Sequence, residues 1–140
     1  MTAKQWLNRG WRIQQEIEIL NETKADLFDR LTHITASYNG MPGAATPDPH
    51  KFDEYAAYCE VVDGYCRQLA NTQAEIVSVI EQIPDGNCRR LLTCRYVEFL
   101  TWEQVAVKLH YSWRHTMRLH GEALRMAHDV IECHIGRVLD

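Results

Sequence analysis

The chain has 140 residues, of which 46% are hydrophobic, and it carries a formal net charge of −4. This length and composition suffice for one ordinary domain, or for a small domain with a long appendage, and they argue against bulk disorder. No apolar run reaches the roughly 18 residues of a membrane-spanning helix, and the N-terminus lacks the apolar core of a signal peptide. We therefore expect a cytoplasmic protein without a membrane partner.

The cysteine pattern gives no indication of a metal site. The five cysteines include no CxxC pair, whereas zinc sites in proteins usually present paired ligands at short spacing. We expect reduced thiols, no metal and no cofactor. Five of the seven histidines lie in the C-terminal part, but none is paired with carboxylates or cysteines at ligand spacing. Since no catalytic set emerges either, we do not expect an enzyme.

The charge is unevenly divided along the chain. Residues 1–83 hold 7 Lys/Arg and 12 Asp/Glu, a balance of −5, whereas residues 84–140 hold 8 Lys/Arg and 7 Asp/Glu, a balance of +1. Within 108–125 a single acid, Glu122, is opposed by four basic residues, Lys108, Arg114, Arg118 and Arg125. Such a local patch favours attraction to phosphate, although a small net charge argues against avid non-specific coating of DNA.

The N-terminal part shows the apolar spacing of long helices. Over about 3–36 apolar residues recur seven apart at Trp6, Ile13, Leu20, Leu27 and Ile34, a stripe typical of a helix that packs on another helix. Residues 38–50 contain three prolines and two glycines, which predict a loop.

A second long helix is predicted from about Lys51 to Ile83, where apolar residues alternate three and four apart until Pro84-Asp-Gly. Two such helices joined by one loop predict an antiparallel hairpin over 1–83, with Leu20, Leu27, Val62, Leu69 and Ile76 in its seam. Tyr58, Tyr65 and Val79 form a strip beside the seam. This strip must face the C-terminal segment, another subunit or a partner.

The remaining residues predict three shorter helices, at about 87–98, 102–109 and 113–136, so the expected fold is all-α with a separate domain at 84–140. Thr101 and Gln104 have the spacing of a capping box, and Ser112 is a second N-cap. Val105 and Leu109 then face Thr116 and Leu119 of the next helix. The opposite, outward face is formed by Trp113, Arg114, Met117, Arg118 and Gly121. A recognition helix places such an outward face in the major groove of DNA.

Three segments of this region resemble a known family. They are Leu91-Leu-Thr-Cys-Arg-Tyr, Thr101-Trp-Glu-Gln-Val-Ala-Val-Lys-Leu and Tyr111-Ser-Trp-Arg-His-Thr-Met-Arg-Leu-His-Gly-Glu-Ala-Leu. Together they resemble region 4 of sigma-70-type factors and, more closely, phage-encoded sigma-like regulators of the ArpU/RinA type. The resemblance implies a helix-turn-helix regulator of phage late, packaging or lysis genes that binds double-stranded DNA in the bacterial host cell. It implies groove contacts from Ser112, Trp113, Arg114, Met117 and Arg118.

Other residues near this motif have less specific expected roles. Lys108, His115 and Arg125 are candidate phosphate contacts, with plain surface charge as the alternative. Trp102 is expected in the core, and His120 and Arg95 are expected to bind neighbouring backbone or carboxylates.

The sequence departs from the resembled pattern at three positions. His110 stands in the turn where Gly or Asn is common, and histidine tolerates the left-handed conformation better than most residues. Thr116 replaces Val or Ile, which leaves a hydroxyl able to bond back to the preceding turn. Trp113 stands where a second basic residue is common, so no single base contact is fixed by the pattern.

Three interpretations of function and assembly stay open, and the preferred one is a sequence-specific DNA-binding regulator. This regulator is expected to be a dimer formed through residues 1–83, because a single recognition helix rarely gives strong specificity. A small-terminase-like packaging component would form larger oligomers. A protein that docks on bacterial RNA polymerase without binding DNA is the alternative from another class.

Overall fold

The computed structural model describes residues 1–38 and 49–139. Its secondary structure is helical, and no strand occurs in these two ranges, which confirms the all-α fold class. The helices are α1 (Ala3–Leu7), α2 (Arg9–Tyr38), α3 (Asp53–Glu81), α4 (Gly86–Leu92), α5 (Trp102–Leu109) and α6 (Trp113–Leu139), with a π-helical turn at Thr93–Val97 after α4. Most of the predicted loop at 38–50 lies outside the described residues. In the described ranges no helix has the length and apolar character needed to cross a membrane.

Two predicted helices differ in detail from the observed ones. The helix expected over 3–36 is interrupted at Asn8, which closes the five-residue α1 begun by a capping box at Thr2. The helix expected over 87–98 changes at Thr93 into the π-helical turn, where Leu100 N–H donates to the Cys94 carbonyl at 3.0 Å. Phe99, with φ of 59°, then ends the helical path in the left-handed region.

The chain divides into two compact units, one formed by Met1–Arg12 with Leu69–Asp140 and the other by Ile13–Gln68. This division differs from the predicted boundary at 83/84. Residues 1–12 and 69–83 join the C-terminal helices because their apolar side chains enter the same core. Val79, which the sequence placed in a strip outside the seam, is fully buried there.

The core of the first unit is built around α6, which packs against α1, α4 and α5. Its fully buried members include Leu7, Ile76, Val79, Ile80, Ile83, Leu91, Leu92 and Val105. Ala123 and Ala127, one turn apart on α6, are also fully buried and keep that face narrow. The carboxylate of Glu75 pairs with Arg9 at 3.2 Å and with His134 at 3.0 Å, which ties the start of α2 and the end of α6 to α3.

The second unit contains the larger part of α2 and the first half of α3. Its buried apolar residues are Ile13, Ile17, Leu27 and Val62. The rings of Phe28 and Tyr55 lie 5.4 Å apart, so α2 and α3 are in contact there. In the predicted seam Leu27, Val62 and Ile76 are buried, while Leu20 and Leu69 are half-buried. The antiparallel hairpin as a whole stays a prediction.

Candidate nucleic-acid interface

The first helix of the candidate site, α5, begins with the capping box that the sequence predicted. Thr101 Oγ1 accepts from Gln104 N–H at 3.2 Å, and Gln104 Oε1 accepts from Thr101 N–H at 2.9 Å. Both bonds satisfy amide donors that the first turn of a helix cannot pair internally. Val105, in the middle of α5, is fully buried and fixes this helix on the core.

A tight turn at His110 separates α5 from α6. His110 adopts the left-handed conformation, with φ of 60° and ψ of 40°, as the sequence predicted. Its N–H donates to the Val107 carbonyl at 3.2 Å, and Tyr111 N–H donates to the Ala106 carbonyl at 3.0 Å. These two bonds satisfy carbonyl groups at the end of α5. Glycine is the usual residue at such a left-handed position, and histidine adopts the conformation at some cost in free energy.

The next helix, α6, is anchored at its start by Ser112. The Ser112 hydroxyl accepts from His115 N–H at 3.2 Å, and the Thr116 hydroxyl donates to the Ser112 carbonyl at 2.8 Å, which confirms the expected back-bond. Thr116 is fully buried and Leu119 is buried, so they form the inner face, as predicted.

The opposite face of α6 is open to solvent. Arg114, Arg118 and Arg125 are exposed, and at 3.6 residues per turn they fall within about 40° of arc on one side of the helix. Gly121 lies in the same stripe, and a Cβ added there would meet nothing within 4 Å. We call Arg114, Arg118, Gly121 and Arg125 the basic stripe.

The predicted groove contacts are brought together at the start of this helix. Ser112 is exposed, Trp113 is 54% exposed, and Met117 is half-buried beside the basic stripe. The guanidinium groups of Arg114 and Arg125 make no hydrogen bond or ion pair within the part of the chain that the structure describes, and both side chains are exposed.

Two of the candidate phosphate contacts are already engaged within the protein. Lys108 Nζ lies 2.7 Å from Glu98 Oε2, and its hydrogen bond to this carboxylate raises the pKa of the Lys108 ammonium. The half-buried His115 contacts the ring of Tyr111, and its Nδ1 lies 2.9 Å from Arg118 Nη2. Any phosphate that binds Lys108 must therefore compete with Glu98.

A buried polar pair behind the site was not predicted. The Tyr96 hydroxyl and His120 Nε2 are 2.7 Å apart, and Trp102 packs on the His120 ring with centroids 4.4 Å apart. Burial lowers the pKa of His120 to about 4 and raises the pKa of Tyr96 to about 12, so both are neutral near pH 7. His120 was expected to bind backbone or a carboxylate; its partner is a tyrosine 24 residues away, a separation that local sequence does not reveal. Arg95, by contrast, donates to the Leu100 carbonyl at 2.9 Å, as expected for a backbone contact.

The described residues contain no group of three or more His, Cys, Asp or Glu arranged to hold a metal ion. Comparison of the chain with protein-family models, curated proteins and solved structures gave no match. Function is therefore inferred from the geometry of α5 and α6 and from the sequence resemblance.

Proposed function

We propose that the protein is a sequence-specific DNA-binding transcription regulator in which α6 enters the major groove of double-stranded DNA. The observation that carries this proposal is the exposed basic stripe on a helix whose other face is anchored by Thr116 and Leu119. Because α5 supports that inner face, the arginines are presented on a rigid element. A helix with these properties has the size and charge for groove recognition.

The side chains at the start of α6 divide into two chemical kinds. Arg114 and Arg118 offer guanidinium groups, which bind guanine O6 and N7 in bidentate fashion and also bind phosphates. Trp113 and Met117 offer apolar surface suited to a thymine methyl group or a sugar. Ser112 contributes a short polar side chain at the helix start, where backbone N–H groups favour an approaching phosphate.

Gly121 supports the same interpretation. Glycine in a helix interior costs about 1 kcal/mol relative to alanine, and no neighbouring atom within 4 Å requires its small size. Close approach of a DNA backbone or base edge to the basic stripe would explain why position 121 has no side chain.

The proposal includes a homodimer that acts in the cytoplasm of a bacterial host on phage late, packaging or lysis genes. The gene class and the host come from the sequence resemblance. The dimer is supported by an apolar strip on α3, formed by half-buried Tyr58 and Tyr65 with Val61, which is 47% exposed. Contiguous exposed apolar surface commonly marks an interface, and two linked recognition helices bind more tightly than one.

A second candidate function is docking on bacterial RNA polymerase. Val107 on α5 is 75% exposed, and it lines a shallow groove with Leu100, Glu103, Gln104 and Lys108. An exposed aliphatic residue on the outer side of α5 fits a protein partner better than it fits a phosphate.

The test is selection of duplexes from a randomised pool, followed by fluorescence anisotropy on the selected duplex at several salt concentrations. We expect Arg118→Ala to lose on the order of 1–3 kcal/mol of specific affinity with an unchanged fold. Arg137→Ala is the matched control, because Arg137 is exposed on the last turns of the same helix. Absence of any salt-sensitive DNA binding, together with binding to polymerase that Val107→Glu abolishes, would favour the second candidate.

A further inference from the structure

The three arginines of the basic stripe differ in how they are held. Arg118 Nη2 lies 2.9 Å from His115 Nδ1, three residues earlier on the same helix. The guanidinium groups of Arg114 and Arg125 have no hydrogen-bonding partner among the residues that the structure describes. One guanidinium in the stripe is therefore oriented before any ligand arrives, and the other two are free to rotate.

His115 is itself held from two further sides. Its backbone N–H donates to the Ser112 hydroxyl at 3.2 Å. Its ring meets the ring of Tyr111 edge-on, with centroids 4.6 Å apart and planes at 87°. The backbone bond anchors the start of the helix, and the ring contact with Tyr111 restricts the direction of Nδ1. Because a guanidinium offers only donors, Nδ1 must accept, and the neutral imidazole then carries its proton on Nε2.

Arg118 keeps the capacity to bind a base while it donates to His115. A guanidinium has five N–H donors, and one bond to His115 leaves four. The remaining donors include a parallel pair, which matches O6 and N7 of guanine. A side chain already fixed in one rotamer loses less conformational freedom on binding than a free one.

We propose that His115 is a positioning residue that holds Arg118 for bidentate recognition of one guanine, while Arg114 and Arg125 bind phosphates without base preference. This inference rests on the proposed DNA-binding function and assigns a specificity role within it. It replaces the phosphate contact that the sequence predicted for His115, because the Nδ1 atom faces a cation.

The experiment uses the full chain and the duplex that the wild-type protein selects from a randomised pool, with every base pair substituted in turn. One position should require guanine, with discrimination of roughly 5- to 150-fold. Arg118→Ala should abolish the preference at that position alone. His115→Phe, which keeps a ring against Tyr111 but removes the acceptor, should reduce the same preference at least threefold. His115→Gln restores an acceptor and should recover most of it.

The salt dependence separates positioning from phosphate contact. The slope of log K against log salt depends on the number of phosphates neutralised, so His115→Phe should leave it unchanged. A smaller slope, with equal loss on every duplex, would overturn the positioning role. Long-range ¹H–¹⁵N NMR of the free wild-type protein at pH 8 should show His115 protonated on Nε2, and protonation on Nδ1 would overturn it as well.

The failures of this inference and of the proposed function are distinguishable. If the wild-type protein selects no duplex, both fall together. If it binds selectively and His115→Phe keeps the full guanine preference, the positioning role alone is refuted.

Discussion

The hydroxyl of Tyr96 and Nε2 of His120 are 2.7 Å apart inside the protein, behind the exposed face of α6. The phenol is the donor, because burial keeps it protonated and keeps the imidazole uncharged. Trp102 covers the ring of His120, and Arg95 in turn lies 4.7 Å from the Trp102 ring centroid. This stack joins the π-helical turn, α5 and α6, so the position of α6 depends on a neutral histidine.

The stability of the protein should therefore fall as the pH is lowered from about 6.5 to about 4. Burial, with smaller contributions from Lys4 and Arg95, lowers the pKa of His120 from 6.5 to about 4 in the folded state. In that interval His120 binds more protons in the unfolded chain than in the folded one, so acid favours unfolding. Above pH 6.5 the imidazole is neutral in both states, and this loss of stability is absent. Urea denaturation at several pH values should show a weaker dependence in His120→Gln than in the wild type. An equal dependence in both proteins would show that other groups are responsible.

The partner of His120 gives a second measurement on the same pair. Tyr96→Phe removes the donor and leaves Nε2 buried without a hydrogen bond, which should cost on the order of 1–3 kcal/mol at pH 7. The folded helix content should be retained. Tyr111→Phe is the control, since Tyr111 contacts His115 through its ring. Equal stability of Tyr96→Phe and the wild type would mean that the bond contributes nothing.

Local signals in the sequence were sufficient to predict where the helices of the candidate site begin and end. Thr101, Gln104 and Ser112 act on backbone groups within three residues, so the bounds of α5 and the start of α6 followed from spacing alone. The boundary between the two compact units did not follow, because burial of Leu7 and Val79 depends on packing against distant helices. Leu7 lies outside the predicted heptad stripe and Val79 was placed beside the seam, so the sequence pattern did not show which surface covers either residue.

Two residues of the predicted seam on α3 differ in burial, so their replacement should differ in its effect on stability. Ile76 is fully buried whereas Leu69, one heptad earlier, is half-buried. Ile76→Ala should cost about 2–5 kcal/mol through the cavity it leaves, and Leu69→Ala should cost clearly less. Chemical denaturation of both variants measures the difference. A larger loss in Leu69→Ala would show that the assembled protein buries Leu69 more fully.

Replacement of Gly121 should separate stability from DNA binding. Gly121→Ala should stabilise the protein by up to about 1 kcal/mol, because nothing lies within 4 Å of the new methyl group. DNA affinity should fall if the helix backbone approaches the duplex at this point. Gly136→Ala is the matched control, an exposed glycine of α6 with equally open surroundings. A Gly121→Ala protein that is more stable and binds DNA normally would remove Gly121 from the interface.

The apolar strip of Tyr58, Val61 and Tyr65 on α3 is expected to mediate self-association. Placing a charge within a buried apolar interface is strongly unfavourable, so Val61→Glu should convert a dimer into a monomer. Val77→Glu is the control, because Val77 is an exposed valine on the same helix outside this strip. Both variants are measured as full chains, since residues 1–12 and 69–83 contribute to the core of the C-terminal helices. Sedimentation equilibrium at micromolar concentration should give a wild-type dimer, a Val61→Glu monomer and a Val77→Glu dimer. If DNA binding requires two recognition helices, Val61→Glu should also bind the selected duplex more weakly with its fold intact. A monomeric wild-type protein, or a dimer that Val61→Glu leaves unchanged, would exclude the strip as the interface.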